Sequence, residues 1–472
     1  MAVSFISRRK EQELVTPARS TPHEYKALSN IDDQHGLRYY PAGVEFFRCR
    51  RGTGIPSARD IADEPVGIIR VALAEALVSY YPLAGCLVEL PVAGGKLLVD
   101  CTAEGVVFVE ADAEVRVDDL AGQTLTQPYP CVEELLCSDI GEPQDAVVGK
   151  PLLFFQVTRF LNSDGFAIGY RYCHSIIDGL GMAQLLDDIY RLARGEMLTI
   201  QPVWGRELLT SLSPPCITHK HGAYDPLPAA TSAPATDIIL KTPLEHMVTR
   251  YFHFGLQEMA AIRSQVPASL RRSTTTFELA AAAFWRCRTA ALEYSLNQQV
   301  RLMIWTNARW SWKPRSPLPE GFYGNALIPL TVEASVHELC HNPLSHVVDL
   351  VRNAKIAVTD DYMWSLLNFH AQHGRPFRSL EWTYVIGDTT GLSRRAMVNL
   401  GRWERAGGGI STTGRVVATS FQSYYDRCKC KRGDGKEFVT VSMSMCLPPA
   451  AMDRFAKLIT TWSHESLMMS AM

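Results

Sequence analysis

The chain lacks several features that would assign it to a broad class of protein. Its 472 residues carry a net charge of only -2, so no excess of positive charge indicates binding to nucleic acid or to an anionic membrane. No apolar run approaches the eighteen or so residues of a membrane helix, and the N-terminal residues lack the apolar core of a signal peptide. N-x-[ST] glycosylation sequons are absent. The sequence therefore predicts a cytoplasmic protein without a nucleic-acid or membrane partner.

Cysteine is present, but not in a pattern that indicates disulfides or a metal site. The twelve cysteines are scattered, and no secretory signal accompanies them. Cys428 and Cys430 form the only close pair, and no second pair completes a tetrahedral zinc site. We therefore expect reduced and mostly buried thiols, with no metal and no bound cofactor.

The most informative stretch begins at Phe166. Alternate residues from Phe166 to Tyr172 have the period-2 pattern of a strand, and His174 continues the same register just beyond its end. Asp178 and Gly179 then predict a sharp turn into an amphipathic helix, with Gly179 providing a permissive backbone or simply space for packing. A histidine at a strand end, with a carboxylate four residues later, is a candidate general base.

The spacing of this histidine and aspartate does not by itself identify a catalytic site. About one match is expected by chance in a chain of this composition, and a second match does occur, from His221 to Asp225. That match follows no strand, and Pro226 replaces the glycine after the aspartate. On spacing alone, the alternative interpretation of His174 is a core histidine bonded to Asp178.

Both halves of the chain alternate helices with short strands, which predicts an α/β (α+β) protein. In the first half we expect a helix over 69–80, after capping-box spacing at Ser57, and strands over 44–47, 96–101, 106–110, 152–160 and 166–173. In the second half a capping box at Thr275 begins a helix. It is followed by strands over 300–306, 382–386, 416–425 and 438–446 and helices over 343–358 and 450–462. The proline-rich segment 214–237 is the predicted linker between an N-terminal domain, 1–213, and a C-terminal domain, 238–472.

His174-Ser-Ile-Ile-Asp178-Gly179 matches the H-x-x-x-D-G motif of the BAHD acyltransferases, plant enzymes that use acyl-CoA. The chain resembles this family over nearly its whole length, with further matching stretches in family order: Leu28–Asp32, Tyr81–Gly85, Asn307–Arg309 and Phe322–Asn325. Within the family it is most like the alcohol acyltransferases that include benzyl alcohol benzoyl- and acetyltransferases. The supporting stretches are Thr21–Glu24, Asp33–Arg38, Asp100–Gly105 and Pro128–Leu136.

The resemblance implies a fold and a mechanism. The fold is two chloramphenicol-acetyltransferase-like domains, each a mixed β-sheet with helices, and a channel between them; whether the segment near 365–388 packs with the N-terminal domain stays open. His174 is implied to be the general base that accepts the acceptor hydroxyl proton while the oxygen attacks the acyl-CoA thioester. Asp178, together with Gly179, is implied to support the site by pairing with Arg309. We expect a monomer that uses acyl-CoA as co-substrate and an alcohol as acceptor.

The second signature of the family, D-F-G-W-G, is altered in this chain. The aligned residues are Asn399, Leu400, Gly401, Arg402 and Trp403, and only Gly401 matches. Loss of the carboxylate removes a charge-assisted hydrogen bond, and a tryptophan at a glycine position needs space. A non-catalytic, degraded paralogue is therefore one alternative. An N-acyltransferase that acts on an amine is another, because it shares the histidine chemistry.

Beyond the Asn307–Arg309 stretch lie four residues that each allow two interpretations. Lys313 and Arg315 are candidates for contact with the phosphates of CoA, and a solvated surface is the alternative. Trp310 and Trp312 either narrow an acceptor pocket or pack in the core.

Overall fold

The computed structural model describes residues 4–49, 64–91, 95–121, 129, 131–137, 147–162, 165–228, 237–312, 318–395, 400–411, 420–431 and 437–469. The described chain has the mixed α/β fold that the sequence predicts, built on two large sheets and one small sheet. Its strands are β1 (Ser7–Arg9), β2 (Glu13–Val15), β3 (Tyr25–Ala27), β4 (Ala42–Cys49), β5 (Cys86–Glu89), β6 (Leu97–Asp100), β7 (Val106–Ala113), β8 (Leu153–Phe160), β9 (Gly165–Tyr172), β10 (Val248–Phe254), β11 (Gln299–Asn307), β12 (Leu327–Ser335), β13 (Thr383–Asp388), β14 (Trp403–Ser411), β15 (Gln422–Lys431) and β16 (Glu437–Leu447).

The α-helices lie between these strands and cover the sheets. They are α1 (Pro65–Ser79), α2 (Val117–Ala121), α3 (Gly179–Ala193), α4 (Ile238–Lys241), α5 (Leu256–Ser264), α6 (Ala268–Arg271), α7 (Thr276–Ala291), α8 (Ala308–Ser311), α9 (Val336–His341), α10 (Leu344–Ile356), α11 (Asp360–His373), α12 (Thr390–Arg395) and α13 (Pro449–Met469). None of the helices in the described part of the chain combines the length and the apolarity needed to span a membrane.

The first large sheet carries the histidine motif at one strand end. Its order is β1-β7-β8-β9-β4-β14, and β2 also pairs with β7. β8 and β9 form the predicted antiparallel hairpin, whereas β7 and β8 run parallel. The edge strand β14 comes from late in the chain and pairs antiparallel with β4. We did not predict β14, because three consecutive glycines, residues 407–409, weaken its strand pattern.

The second large sheet has the order β10-β16-β15-β13-β11-β12. β13 lies parallel between β11 and β15, and α7 packs over the sheet with α5, α10 and α13 around it. The predicted capping box begins α7: Thr275 Oγ1 accepts a hydrogen bond from the backbone N–H of Glu278, and the Glu278 carboxylate accepts one from Thr275 N. Each large sheet has its own hydrophobic cluster, so the core has two principal parts.

Several predicted boundaries differ from the observed ones. The helix after residue 64 begins at Pro65, where the Glu64 carboxylate accepts from Gly67 N at 2.9 Å; the capping-box spacing at Ser57 lies outside the described residues. The strand predicted over 416–425 falls partly in 412–419, which are not described, and β15 runs from Gln422 to Lys431. Residues 229–236 of the predicted linker are also outside the described chain.

Candidate active site

His174 lies directly beyond the end of β9, as the strand pattern predicts. Its backbone N–H donates to the carbonyl oxygen of Tyr39 at 2.9 Å. The imidazole is half-buried between two aromatic rings, with centroids 5.2 Å from that of Tyr39 and 5.9 Å from that of Tyr172. Burial lowers the pKa of His174, so the neutral ring, which can accept a proton, is favoured near neutral pH.

A hydrogen bond to Asn325 assigns the tautomer of this ring. The Asn325 Nδ2 group donates to the Asp32 carboxylate at 2.8 Å and to the backbone carbonyl of His174 at 2.7 Å. The Asn325 Oδ1 atom therefore faces His174 Nδ1, 3.0 Å away. A flipped amide would point its oxygen at two acceptors, so Nδ1 carries the proton and donates it to Asn325. The lone pair is left on Nε2, which is the basic nitrogen of the site.

Asp32 holds this asparagine in place. Its carboxylate, fully buried, also accepts from Asn325 N at 3.0 Å and from Ser29 Oγ at 2.6 Å, and it pairs with the buried Arg206 guanidinium at 2.9 Å. Asp32 and Asn325 were not predicted as site residues. Both lie in stretches that match the family, but nothing in the sequence shows that positions 293 residues apart are in contact.

The Asp178 carboxylate pairs with Arg309 and forms no hydrogen bond with the ring of His174. The two groups form an ion pair, with Arg309 Nη1 2.8 Å from Asp178 Oδ2 and Nη2 3.2 Å from Oδ1. The same carboxylate accepts from Gly181 N at 2.9 Å, which caps α3, and from Ala326 N at 3.1 Å. The structure thus brings together the turn that follows His174 and the segment after β11.

Of the two roles that the sequence leaves open for Gly179, the structure favours packing over a permissive backbone. The φ of Gly179 is not in the left-handed region, and an added Cβ would lie 3.2 Å from the Leu392 side chain, so its role is one of packing. Glycine is required two residues later, at Gly181. A Cβ on Gly181 would overlap the backbone carbonyl of Tyr323, so only glycine allows α3 to approach that segment.

The altered family segment forms an ordered turn into β14. Asn399 lies outside the described residues, but Leu400 and Trp403 exchange two backbone hydrogen bonds of 2.8 Å, and Gly401 between them has φ of 54°. The Trp403 ring is buried edge-on against Phe166, with 5.4 Å between ring centroids. The hydrophobic cluster of the first sheet therefore provides the space that this tryptophan needs.

Two arginines secure the start of β14. The Arg402 guanidinium lies over the Trp403 ring, 4.6 Å from its centroid. Arg405 forms a buried ion pair with Glu45 of the neighbouring strand β4. Burial raises the pKa of the Glu45 carboxyl, and the Arg405 charge opposes that shift.

The second histidine–aspartate match is not a site. His221 is a buried core histidine whose Nε2 lies 2.9 Å from Ser365 Oγ and whose ring packs against Tyr362. Asp225 points to Lys220 instead, at 3.7 Å and largely in solvent. Burial lowers the pKa of His221 to about 4, so it stays neutral.

Of the four residues after Arg309 that the sequence leaves open, the structure describes the two tryptophans. Trp312 is buried against Trp364, with ring centroids 5.1 Å apart, so it packs in the core, whereas Trp310 is 62% exposed. Lys313 and Arg315 lie outside the described residues. Within the described ranges, no group of three or more His, Cys, Asp or Glu side chains is arranged to hold a metal ion.

Comparison with known proteins identifies the family of the chain. A family model described as the Transferase family matches residues 7–389. The chain is 46% identical to acyl transferase 1 of Oryza sativa subsp. japonica, with 97% of this chain and 96% of that protein covered. It is 41% identical to spermidine hydroxycinnamoyltransferase 1 of the same species, over 94% and 97%. It is 38% identical to benzyl alcohol O-benzoyltransferase of Petunia hybrida, over 96% and 93%.

Solved structures show the same fold at lower sequence identity. Vinorine synthase is similar with a TM-score of 0.67 at 17% identity, covering 95% of this chain and 96% of that one. TRI101 of F. graminearum, complexed with ethyl coenzyme A, is similar with a TM-score of 0.66 at 13% identity, covering 92% and 97%. With this fold, and with the family match over most of its length, the chain belongs to the Transferase family, the BAHD acyl-CoA-dependent acyltransferases.

Proposed function

We propose that this chain is an O-acyltransferase that moves an acyl group, acetyl or benzoyl, from a CoA thioester to an alcohol such as benzyl alcohol. The observation that carries the proposal is the tautomer of His174. Because Nδ1–H is bonded to Asn325, the ring presents an unprotonated Nε2 that can act as a general base. The Petunia hybrida relative supports the choice of acceptor, since its name specifies benzyl alcohol.

In the proposed reaction, His174 Nε2 accepts the hydroxyl proton of the acceptor while the alcohol oxygen attacks the thioester carbonyl. The tetrahedral intermediate collapses to the ester, and the imidazolium returns its proton to the departing CoA thiolate. Asn325 Oδ1 accepts from Nδ1–H in both states of the ring, so it holds the orientation throughout. Acyl-CoA is the co-substrate, and the reaction requires no acyl-enzyme and no bound cofactor.

In this proposal Asp178, Gly179 and Arg309 support the loop that presents His174 and take no part in proton transfer. The four hydrogen bonds that the Asp178 carboxylate accepts from Arg309, Gly181 and Ala326 support that role. Among residues 399–403, the burial of Trp403 argues that the altered family segment is structural and compatible with activity.

We further propose the domain limits given above, 1–213 and 238–472 with a crossover linker at 214–237 and the substrate channel between the domains. Ion pairing of Arg375 with Asp33, at 2.8 Å, supports packing of the 365–388 segment against the N-terminal domain. We expect a cytoplasmic monomer whose partners are the small-molecule donor and acceptor.

N-acylation of an amine is the second candidate. It is favoured by the rice relative whose name specifies spermidine and hydroxycinnamoyl transfer, at 41% identity. The general-base chemistry is the same for both acceptors, so the site around His174 does not separate them. A non-catalytic paralogue is the alternative from another class, because residues 399–403 lack the family carboxylate and carry a tryptophan at a glycine position. The packing of Trp403 against Phe166 supports an active enzyme instead.

The test is an assay of CoA release. Purified protein is given acetyl-CoA or benzoyl-CoA with benzyl alcohol, hexanol or spermidine, and free CoA is followed with a thiol reagent. We expect release that depends on an alcohol acceptor. His174→Ala should fold and bind CoA normally while acyl transfer is abolished; retained turnover in that variant would refute the assignment of the base. CoA release with spermidine but with neither alcohol would favour N-acylation. No CoA release with any acceptor would favour a binding protein.

A further inference from the structure

One arginine near the candidate base has no counter-ion among the residues that the structure describes. Arg378 follows α11 in the chain, and its guanidinium lies over the Trp305 ring, 4.8 Å from the centroid. It also contacts the N-terminal segment, because a Cβ built on Gly36 would collide with its Nη2 atom. The side chain is half-buried and is held between two surfaces.

Hydrogen bonds connect His174 to the chain segment that this arginine contacts. The residue after Gly36 accepts a hydrogen bond from Ser175 Oγ through its carbonyl, at 3.0 Å. Two positions further along, the carbonyl of Tyr39 accepts from His174 N at 2.9 Å. The segment that Arg378 touches is therefore bonded to the histidine and to its neighbour. The positive charge of Arg378 also lowers the pKa of His174, after the larger effect of burial.

The nearby negative charge on this segment is already neutralised. The Asp33 carboxylate pairs with Arg375 at 2.8 Å and lies 3.7 Å from Arg38. No described residue forms an ion pair or hydrogen bond with the Arg378 guanidinium. Stacking on Trp305 keeps its planar group of donors in one orientation, and such a group matches a carboxylate or a pair of oxygen atoms.

We propose that Arg378 binds a carboxylate or another electronegative oxygen group on the small molecule that reacts at His174, and that it disfavours cationic acceptors. This inference rests on acyl transfer at His174, and it deepens that function by specifying the acceptor class: an alcohol that carries an oxygen-rich or acidic group, not a polyamine. The phosphates of CoA are not the ligand. The thiol of CoA reacts beside the histidine, and the pantetheine arm separates that thiol from the phosphates.

Matched substrates test this inference. The acceptors are benzyl alcohol, p-hydroxymethylbenzoate and p-aminomethylbenzyl alcohol, which share the reacting hydroxyl and differ in charge. Acetyl-CoA and malonyl-CoA, compared with benzyl alcohol as acceptor, show whether the acidic group belongs to the acyl donor instead. Arg378→Met keeps an apolar side chain on Trp305 without the charge, and Arg378→Lys keeps the charge without the planar fork. Arg250→Met, an exposed arginine on β10, is the control.

We expect Arg378→Met to lower kcat/KM for the acidic substrate by roughly tenfold to a hundredfold, the effect of losing a charged hydrogen bond. The value for benzyl alcohol should change much less, and that for the cationic acceptor should rise. Gly36→Ala should act in the same direction, because the new methyl group displaces the guanidinium. A loss of kcat/KM confined to malonyl-CoA would show that the acidic group bound by Arg378 belongs to the acyl donor.

A second measurement separates specificity from a structural role. Without the Arg378 charge, the acid limb of the kcat/KM profile for benzyl alcohol should move to higher pH, while the effects of Asp178 and Asn325, which raise the pKa of His174, remain.

Unchanged ratios of kcat/KM between the acidic, neutral and cationic substrates in Arg378→Met would overturn the inference. If no acceptor is turned over, calorimetric binding of p-hydroxymethylbenzoate to the CoA complex decides. Weaker binding to Arg378→Met supports the inference even though the proposed function has failed, and equal binding refutes it.

Discussion

Removing the Arg309 side chain would leave the buried Asp178 carboxylate without its counter-ion. Each oxygen of that carboxylate receives two donors: Oδ1 accepts from Gly181 N and Arg309 Nη2, and Oδ2 accepts from Arg309 Nη1 and Ala326 N. Breaking a buried pair by removing one partner costs about 3–5 kcal/mol. Arg309→Ala should therefore lower the free energy of unfolding by that amount and reduce the yield of folded protein.

Asp178→Asn tests the same pair from the other side. An amide has only one acceptor oxygen, so its NH2 group must face two donors whichever way it turns. We expect a loss of similar size, and a double variant Asp178→Asn/Arg309→Met that is less destabilised than the sum of the two single changes, because they share one interaction. Asp453→Asn, which removes the exposed ion pair with Arg250, is the control and should cost about 1 kcal/mol or less.

Urea unfolding followed by tryptophan fluorescence measures these differences, and CoA release measures activity in the same preparations. If Asp178 supports the loop that presents His174, stability and activity should fall together in Asp178→Asn. A fully folded Asp178→Asn protein with unchanged stability and no turnover would refute this reasoning, because the aspartate would then act in the chemistry.

Four further outcomes follow from the site and from β14. Asn325→Ala should lower kcat roughly tenfold to a hundredfold by freeing the His174 ring, with near-normal CoA binding; unchanged kcat would contradict the tautomer assignment. The acid limb of the wild-type kcat/KM profile should lie below about 6.5, because burial lowers the pKa of His174 and the neutral ring is the active form; a limb above that value would contradict it. Trp403→Gly, which restores the family residue, should cost about 3–5 kcal/mol in urea unfolding, and an unchanged midpoint would show that the ring does not stabilise the core. Glu45→Gln should lower the thermal midpoint by leaving a buried arginine without its counter-ion, and an unaltered midpoint would count against that pair.

Local patterns in the sequence predicted most of the elements near the site. The alternation before His174 correctly placed it at the end of β9, and the capping box at Thr275 correctly marked the start of α7. Both signals involve residues a few positions apart, so the backbone geometry of a single strand or helix turn determines them. Local pattern left two roles open for Gly179 and missed the requirement for glycine at Gly181, because that requirement comes from an approaching carbonyl and not from the turn itself.

Contacts between distant parts of the chain could not be predicted from pattern. The pairing of Asp178 with Arg309 came from family resemblance, since 131 residues separate the two groups. The amide of Asn325 and the guanidinium of Arg378 reach the neighbourhood of His174 from the second half of the chain, and neither has a local signal. Strand β14 was missed for a related reason, because its glycine-rich sequence becomes a strand only against β4.

The position of β14 has a consequence for synthesis of the protein. Until Ser411 has left the ribosome, the apolar strand β4 remains the edge of a nearly complete first sheet, with one row of its backbone groups unpaired. Such an edge can pair with a neighbouring nascent chain. Once β14 has been made, its glycines and the buried ion pair between Glu45 and Arg405 favour pairing of β14 with the edge of β4. The two paired residues are 360 positions apart in the chain. Efficient production of this enzyme therefore depends on how fast the last sixth or so of the chain reaches a sheet that was made long before it.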